Sequence, residues 1–390
     1  MEYSNDQKLF FDKAINVENL FLSGKAGTGK SFIVKQVVAK LQSQGKNVLC
    51  CAPTGIAANN INGATIHSTF SLKPFGVLDF EACNFMKSTK KDVLKNTDTI
   101  VIDEVSMVRP DILDAINWTL QKNGIKPLSD FQIIFVGDMK QLGIVADDNM
   151  KSMILKKYDG FTFDNAKCFE SLNVKTIELS EIKRQNNPEF IEALNTVREG
   201  KKHEYFRQFS SQKTKGIILC PHNSTVQKYN LKGLSEINEK EIIFTGVIDG
   251  KVSASDFNLE LEVKLKHGCK IMYLANSVNN NLFNGSIGIF IVENNNYFIE
   301  IEKQKFAIDI QKFSKKEYVV NQWTKLLELQ EIGSITQIPV KLAYAISIHK
   351  SQGMTFDEIT VDLTMPCFQK GQLYVALSRV KTPQGLNIII

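Results

Sequence analysis

The 390 residues are 43% hydrophobic and 23% charged, which excludes a disordered, collagenous or disulfide-scaffold chain and leaves room for two or more folded cores. A formal net charge of +5 is too small to name a partner, although it suits a polyanion better than a basic ligand. The 7 cysteines form no CxxC pair and no zinc spacing, the first dozen residues are too polar for a signal peptide, and no apolar run reaches the roughly 18 to 20 residues of a membrane span, so the expectation is a soluble protein of a reducing, intracellular compartment.

In chain order, the β-rich runs NLFLSG, NVLCCAPT, TIVIDEVS and FQIIFVGD alternate with segments of helical periodicity. That is the pattern of a parallel sheet covered on both faces, and it predicts a first α/β lobe over residues 1–170. A second set begins near Val174 with VKTIELSE, continues through GIILCPHN and resumes at KLAYAISI, EITVDL and GLNIII, predicting a second α/β lobe over 171–235 and 336–390. Between its halves, residues 236–335 carry closely spaced runs such as LEVKL, KIMYLA, GSIGIFIV and YFIEIE with asparagine-rich turns. Short strands of this kind predict a small antiparallel barrel inserted in the second lobe. No repeat of fixed period and no long linker interrupts the chain.

GKAGTGKS, Gly24 to Ser31, fits G-x-x-x-x-G-K-[ST] and lies between the run NLFL and a helix with Phe32, Ile33, Val34, Val37, Val38 and Leu41 on its apolar face. Glycines here turn backbone N–H groups of Gly24, Ala26, Gly27, Thr28 and Gly29 toward phosphate oxygens, and the helix N-terminus adds partial positive charge. Lys30 would bridge the β- and γ-phosphates, and Ser31 would hold magnesium. A glycine turn before a helix can arise by chance, but here both flanks are correct, so the expected ligands are a nucleoside triphosphate and Mg2+.

Such a loop needs a metal-holding carboxylate at a neighbouring strand end, and TIVIDEVS supplies Asp103. Glu104, next to it, can orient or deprotonate the attacking water, which favours hydrolysis over transfer; the alternative is a solvated acidic pair. The run FVGDMKQL ends at the same crevice, where ligands of open α/β sheets bind, so Gln141 is expected to touch the γ-phosphate. A motor also needs cations delivered to that phosphate by its second lobe, and Arg184 in EIKRQNNPEF and Arg379 in YVALSRVKT are the candidates. Most arginines in a protein are instead in surface ion pairs.

CAPTGIAANNINGATIHSTF, DEVSMV, GDMKQL, KRQNNPEFIEALNTVREG, FNGSIGIFIV, VKLAYAISIHKSQGMTFDEITVDL and GQLYVALSRVKTPQGL together resemble the petite-integration-frequency helicases, 5′-to-3′ DNA motors of helicase superfamily one. The resemblance runs from Gln7 to the last strand. It implies two RecA-like lobes with an SH3-like barrel inserted in the second, and ATP hydrolysed between the lobes. It implies that Gln7 reads adenine, that Arg184 and Arg379 are the two arginines acting from the second lobe, and that Gly353 lies in the motif coupling nucleotide to DNA. Pro53, Thr54, His67 and Ser68 in the first lobe and Asn223, His349 and Lys350 in the second match positions facing single-stranded DNA. STFSLKPF falls where the family has a small wedge, near residues 70–85.

The partners implied are single-stranded DNA and 5′-tailed or forked duplexes, with G-quadruplex and RNA–DNA hybrids among the substrates such motors handle, and the default is a monomer. Phe70 and Phe75 could offer faces to bases, although a core role is the commoner one for a phenylalanine. Gly143 stands where the family commonly has a proline after GDxxQL, which loosens that loop without touching the chemistry. The Lys, Asn and Ile content suggests an AT-rich, bacterial or mobile genome, hence a bacterial cytoplasm or nucleoid. Competing readings are a translocase that unwinds poorly, a binding module without catalysis, and a phosphate-loop enzyme of small molecules. RNA as track stays open from the residues alone.

Overall fold

Along the strand Val48–Ala52 (β2), Val48 and Cys50 face one side and Leu49 and Cys51 the other, and all four are buried. Thr99–Ile102 (β4) and Gln132–Gly137 (β5) repeat the pattern, with Val101, Ile134 and Val136 on one face and Ile100, Ile102, Ile133 and Phe135 on the other. A strand apolar on both faces needs a helical layer on each, as parallel sheets have. One face is covered by helices Asn5–Ile15 (α1) and Lys30–Ser43 (α2) through Phe10, Ala14, Ile33, Val34, Val37 and Leu41. Leu113, Ile116 and Leu120 of helix Pro110–Lys122 cover the other. With Leu20–Gly24 (β1), Ala64–Thr65 (β3) and Lys175–Leu179 (β6), the sheet has six strands in the order β3-β2-β4-β5-β1-β6, all parallel.

The structure, a computed structural model, describes residues 3–390 except 75, 145, 182–186, 258, 276 and 278–281. The chain divides into two units, Met1–Arg184 with Lys316–Glu331, and Gln185–Lys315 with Ile332–Ile390. The second unit holds a four-stranded parallel sheet in the order Ala345–Ser347, Ile217–Cys220, Ile359–Asp362, Leu386–Ile389. It also holds a small β domain, whose five-stranded antiparallel sheet runs Gln304–Ala307, Asn296–Ile301, Ile287–Glu293, Lys270–Tyr273, Val340–Leu342. Leu265, Ile271, Tyr273, Phe290, Ile299 and Val340 form its core. Two parallel-sheet lobes with an inserted antiparallel β domain are the architecture expected from the sequence.

The boundaries differ from those expected. VKTIELSE does not open the second lobe: β6 pairs with β1 over Leu20↔Lys175 to Gly24↔Leu179 and is an edge of the first sheet, with Ile177 and Leu179 buried. The second lobe's own strands resume at Ala345 rather than 336, because Val340–Leu342 completes the inserted sheet beside Lys270–Tyr273. Residues 316–331 belong to the first unit, not the insertion. β3 pairs with β2 only at Cys51 and Ala52, which leaves the earlier edge of β2 open. There the Cys50 N–H donates to the Tyr318 hydroxyl at 3.2 Å, and Asn47 exchanges hydrogen bonds with the Leu327 N–H and the Lys325 carbonyl. An open edge is thereby covered.

Smaller corrections concern aromatic rings. Phe32 is not on the buried face of α2; it is exposed beside Tyr3. Phe70 is fully buried with Leu72, Leu78, Cys83 and Met86 in the first-lobe core, so it offers no face to a base, and Phe75 lies outside the described residues. The exposed rings of the expected wedge are Phe80 and Phe85, with the Lys122 ammonium 5.2 and 5.6 Å from their centroids. Six of the cysteines are buried and none is disulfide-bonded.

Candidate nucleotide and nucleic-acid site

β1 delivers the chain into a turn in which Gly27 and Gly29 have φ of 82° and 85°, left-handed values that only glycine adopts without strain. Room is short as well: a Cβ on Gly24 would lie 2.8 Å from Thr28 Oγ1, and one on Gly29 2.9 Å from Gln7 Nε2. Thr28 is buried and its hydroxyl donates to the Lys25 carbonyl at 3.0 Å. Lys30, first residue of α2, donates from Nζ to the carbonyls of Gly24 at 2.6 Å and Lys25 at 3.1 Å. The ammonium is thus held at the mouth of the loop. Ser31 is exposed on the first turn. Gln7 sits against the same loop, 1% exposed, with Nε2 donating to the Thr28 carbonyl at 3.3 Å, while its Oε1 and Ser4 close a capping box on α1.

The sheet order sets β4 and β1 on either side of β5, which brings their carboxyl ends to one edge. Asp103 follows β4, is 7% exposed, and its Oδ1 accepts the Glu104 N–H at 2.8 Å. Burial raises its proton affinity, opposed by that N–H and by Lys30 and Lys35. Glu104 has φ 51° and ψ 43°, an uncommon left-handed conformation for a side-chain-bearing residue, of the kind that clusters at functional sites. Gln141, after β5, is 8% exposed and donates from Nε2 to Asp138 Oδ2 at 3.2 Å. The structure therefore brings Gln7, the glycine loop, Lys30, Ser31, Asp103, Glu104 and Gln141 to one sheet edge.

These groups fit a nucleotide with magnesium. Left-handed glycines leading into a helix form a phosphate cradle, and a buried carboxylate with an exposed serine hydroxyl offers the oxygen donors that magnesium takes. Among the described residues no group of three or more His, Cys, Asp or Glu side chains is placed to hold a metal. A magnesium ion held there would neutralise charge developing on the phosphate.

The first-lobe nucleic-acid candidates gather at the ends of β2 and β3, which run side by side. Pro53 precedes Thr54, whose hydroxyl caps helix Gly55–Asn60 by accepting the Ala57 N–H. His67 and Ser68 are on the short helix Ile66–Thr69. Burial, with Arg109 acting in the same direction and Asp111 against it, pushes the His67 imidazole below its ordinary range, so at neutral pH it offers a hydrogen bond rather than a charge. The Ser68 hydroxyl donates to Glu317 Oε1 at 2.8 Å, and Lys90 pairs with Glu317 at 3.5 Å. Binding a phosphate there requires Ser68 to exchange an acidic partner.

In the second unit Asn223 opens helix Asn223–Ser235 and is exposed, as is Lys350, while His349 is half-buried. Beside His349 stands a residue that sequence reasoning missed. Phe368, 56% exposed, has its ring 5.0 Å from His222 and 5.8 Å from His349, the latter stacked at 19°. His349 Nε2 is 2.8 Å from Gln369 Oε1 and His222 Nε2 is 3.0 Å from the Pro366 carbonyl, so both imidazoles are fixed. A phenylalanine in an irregular stretch between EITVDL and GQLYVALSR carries no periodic signal; its separation by 19 positions from His349 hides the pairing.

Gly353 has φ 79°, and the carbonyl of the next residue, Met354, accepts from Arg379 Nη1 at 3.2 Å. Arg379 is 2% exposed, with Nε on the Val375 carbonyl and Nη2 on Ser378 Oγ, both at 3.0 Å. Its guanidinium is held inside its own unit. Arg184 lies outside the described residues.

Residues 2–208 match the family model of the PIF1-like helicase. The chain is 30% identical to the ATP-dependent DNA helicase Pif1 of Campylobacter jejuni over 97% of its own length and 90% of that protein's. It is similar in structure to Pif1 of Bacteroides sp. in complex with ADP-AlF4, with TM-score 0.86 and 32% identity, and to Bacteroides Pif1 bound to ssDNA, with TM-score 0.70 and 33% identity; each covers 100% of this chain and 92% of that one.

Proposed function

The chain belongs to the PIF1-like helicase family and is an ATP-dependent DNA helicase, and from that premise we propose that it moves 5′ to 3′ on single-stranded DNA and opens tailed or forked duplexes through the residues described above. The observation that carries the catalytic half is the meeting of the glycine loop, Lys30, Asp103, Glu104 and Gln141 at one edge of a single sheet. Lys30 and Ser31 hold phosphate and magnesium with Asp103, Gln7 reads the base, Glu104 activates water and Gln141 senses the γ-phosphate. Arg379, with Arg184, supplies cations to that phosphate, and for Arg379 this means leaving the carbonyls that now hold it.

On the track, Pro53, Thr54, His67, Ser68, Asn223, His349 and Lys350 bind phosphate and sugar, and a base stacks on Phe368. Grips built from hydroxyls, N–H groups and a few cations need no large net charge. Nucleotide state changes how tightly the strand is held, and that differential affinity drives the step. The active species is a monomer, working in a bacterial cytoplasm or nucleoid; no helix among the described residues is long and apolar enough to cross a membrane. G-quadruplexes and RNA–DNA hybrids join the forks as substrates.

Phosphate release with and without single-stranded DNA, read beside unwinding of 5′- and 3′-tailed forks, tests this. DNA stimulates release, Lys30→Ala removes it, and only 5′-tailed forks open. A preference for 3′ tails would overturn the polarity while sparing the motor. Phe368→Ala weakens single-stranded DNA binding about 10-fold, the scale of one lost base stack, without changing DNA-free ATP hydrolysis; wild-type affinity in a titration of labelled oligo-dT would remove Phe368 from the track.

A further inference from the structure

The irregular stretch 76–86, within the expected wedge, divides its side chains between core and solvent. Leu78, Cys83 and Met86 are buried in the first-lobe core, whereas Phe80 is 44% and Phe85 73% exposed. An exposed ring is ordinary by itself; what distinguishes these two is how firmly their backbone is held. Helix Pro110–Lys122 fastens the stretch at both ends. At one end the fully buried Asp111 accepts the Leu78 N–H on Oδ2 at 2.8 Å. Arg109 grips the same carboxylate through Nε and Nη2, both at 2.8 Å, and donates from Nη2 to the Gly76 carbonyl at 2.7 Å. At the other end Asn123 donates from Nδ2 to the Asn84 carbonyl at 3.1 Å and accepts the Met86 N–H at 2.8 Å, so one side chain brackets Phe85 on both sides. Arg109 comes five positions after Glu104, and Ser106 between them donates to the Leu142 carbonyl at 3.1 Å, so the segment that leaves the nucleotide site also seats this loop.

Cations surround the rings. Lys122 Nζ, besides facing both of them, donates to the Phe80 carbonyl at 3.3 Å, and the Lys91 ammonium is 6.0 Å from the Phe85 centroid. Lys90, next to Lys91 on helix Ser88–Lys95, donates to the Ser68 carbonyl, so the patch adjoins the first-lobe nucleic-acid candidates. A rigid apolar face rimmed by ammonium groups complements the end of a duplex, whose last base pair is a flat π-surface edged by phosphates. We propose that Phe85, with Phe80 beside the same ammonium, is the face on which the terminal base pair of a duplex stacks, and that Asn123 and Arg109 are the positioning residues that keep it rigid. The inference rests on the function proposed above and names the residues that meet the duplex.

The test compares a 5′-tailed fork with its single-stranded tail alone, for wild type, Phe85→Ala, Phe85→Tyr and Asn123→Ala. Wild type binds the fork more tightly than the tail. Phe85→Ala weakens fork binding about 10-fold, the scale of one lost base stack, and leaves tail binding as it was. Fork opening falls in proportion, while ATP hydrolysis stimulated by the tail is unchanged. Phe85→Tyr keeps the ring and restores both fork readouts. Truncating so exposed a ring leaves the core intact, so the melting temperature does not move. Asn123→Ala lowers fork opening and adds little to Phe85→Ala in the double variant, because both act on one element. If Asn123→Ala does not fold, Arg109→Lys takes its place, keeping the ion pair with Asp111 but not the planar group that reaches Gly76. Equal fork preference in wild type and Phe85→Ala would overturn the contact, as would a loss that tyrosine does not restore. Parallel losses of tail-stimulated hydrolysis and fork opening would place the ring in the motor cycle and also overturn it. So would a Phe85→Ala effect confined to sedimentation, from dimer to monomer, which would make the patch an interface between copies. Additive losses in the double variant would remove Asn123 as a positioning residue. Should wild type bind the tail yet open no fork, the fork preference and its dependence on Phe85 decide. Wild type that binds no DNA at all would instead defeat the function it rests on.

Discussion

Glu104→Gln lowers DNA-stimulated ATP turnover by about 10² to 10⁴, the range for loss of a general base, and leaves nucleotide affinity intact. The substitution keeps the shape and length of the side chain, so the left-handed backbone at φ 51° and the hydrogen bond from the residue 104 N–H to Asp103 Oδ1 survive. What disappears is the ability to take a proton from water. Lys30→Ala is expected to behave differently, because it removes the charge proposed to face the phosphates and so weakens nucleotide binding as well as turnover. Single-turnover hydrolysis with a separate measurement of nucleotide binding distinguishes them. A Glu104→Gln protein hydrolysing ATP within threefold of wild type would leave the water to some other group, and the acidic pair would revert to a solvated strand end.

The placement of the candidate residues at the phosphate loop was legible because each is bound to a local element. A glycine turn between strand and helix, or an acid at the end of a hydrophobic run, is specified by neighbours in sequence, and the parallel order of the strands does the rest. What escaped depends on distant partners. VKTIELSE reads as a strand in either lobe, and only its pairing with Leu20–Gly24 assigns it to the first. Phe32 and Phe70 carry the same apolar signal, yet one is exposed and the other buried, since a helical or turn position does not say which neighbours arrive. Ser68 fits the nucleic-acid pattern, but Glu317, from a segment almost 250 positions on, holds its hydroxyl. Phe368 has no motif of its own; its setting comes from His222 and His349, each brought by another element.

Arg379→Ala is expected to be the most damaging change in the second unit, and for two separable reasons. Proteins that bring an arginine to a γ-phosphate lose about 10³ to 10⁵ in turnover without it. Here the guanidinium also carries structure: it donates to the carbonyls of Val375 and Met354 and to Ser378 Oγ at 3.0 to 3.2 Å while 2% exposed. Truncation leaves buried acceptors without donors and a cavity the size of the side chain, worth about 2 to 4 kcal/mol. Met354 follows Gly353 in the loop that begins with His349 and Lys350, so loss of that anchor loosens a stretch proposed to grip DNA. Arg379→Ala therefore lowers turnover by at least 10³, lowers the melting temperature by several degrees, and weakens nucleotide-free binding of single-stranded DNA several-fold. Arg379→Lys keeps the charge but not the planar fork, and recovers less DNA affinity than turnover if the anchor dominates. A variant that loses turnover alone, with melting and DNA affinity at wild-type values, would show that the carbonyl contacts are incidental and that the arginine acts only on nucleotide. Unchanged turnover with lowered melting would reduce it to a core residue.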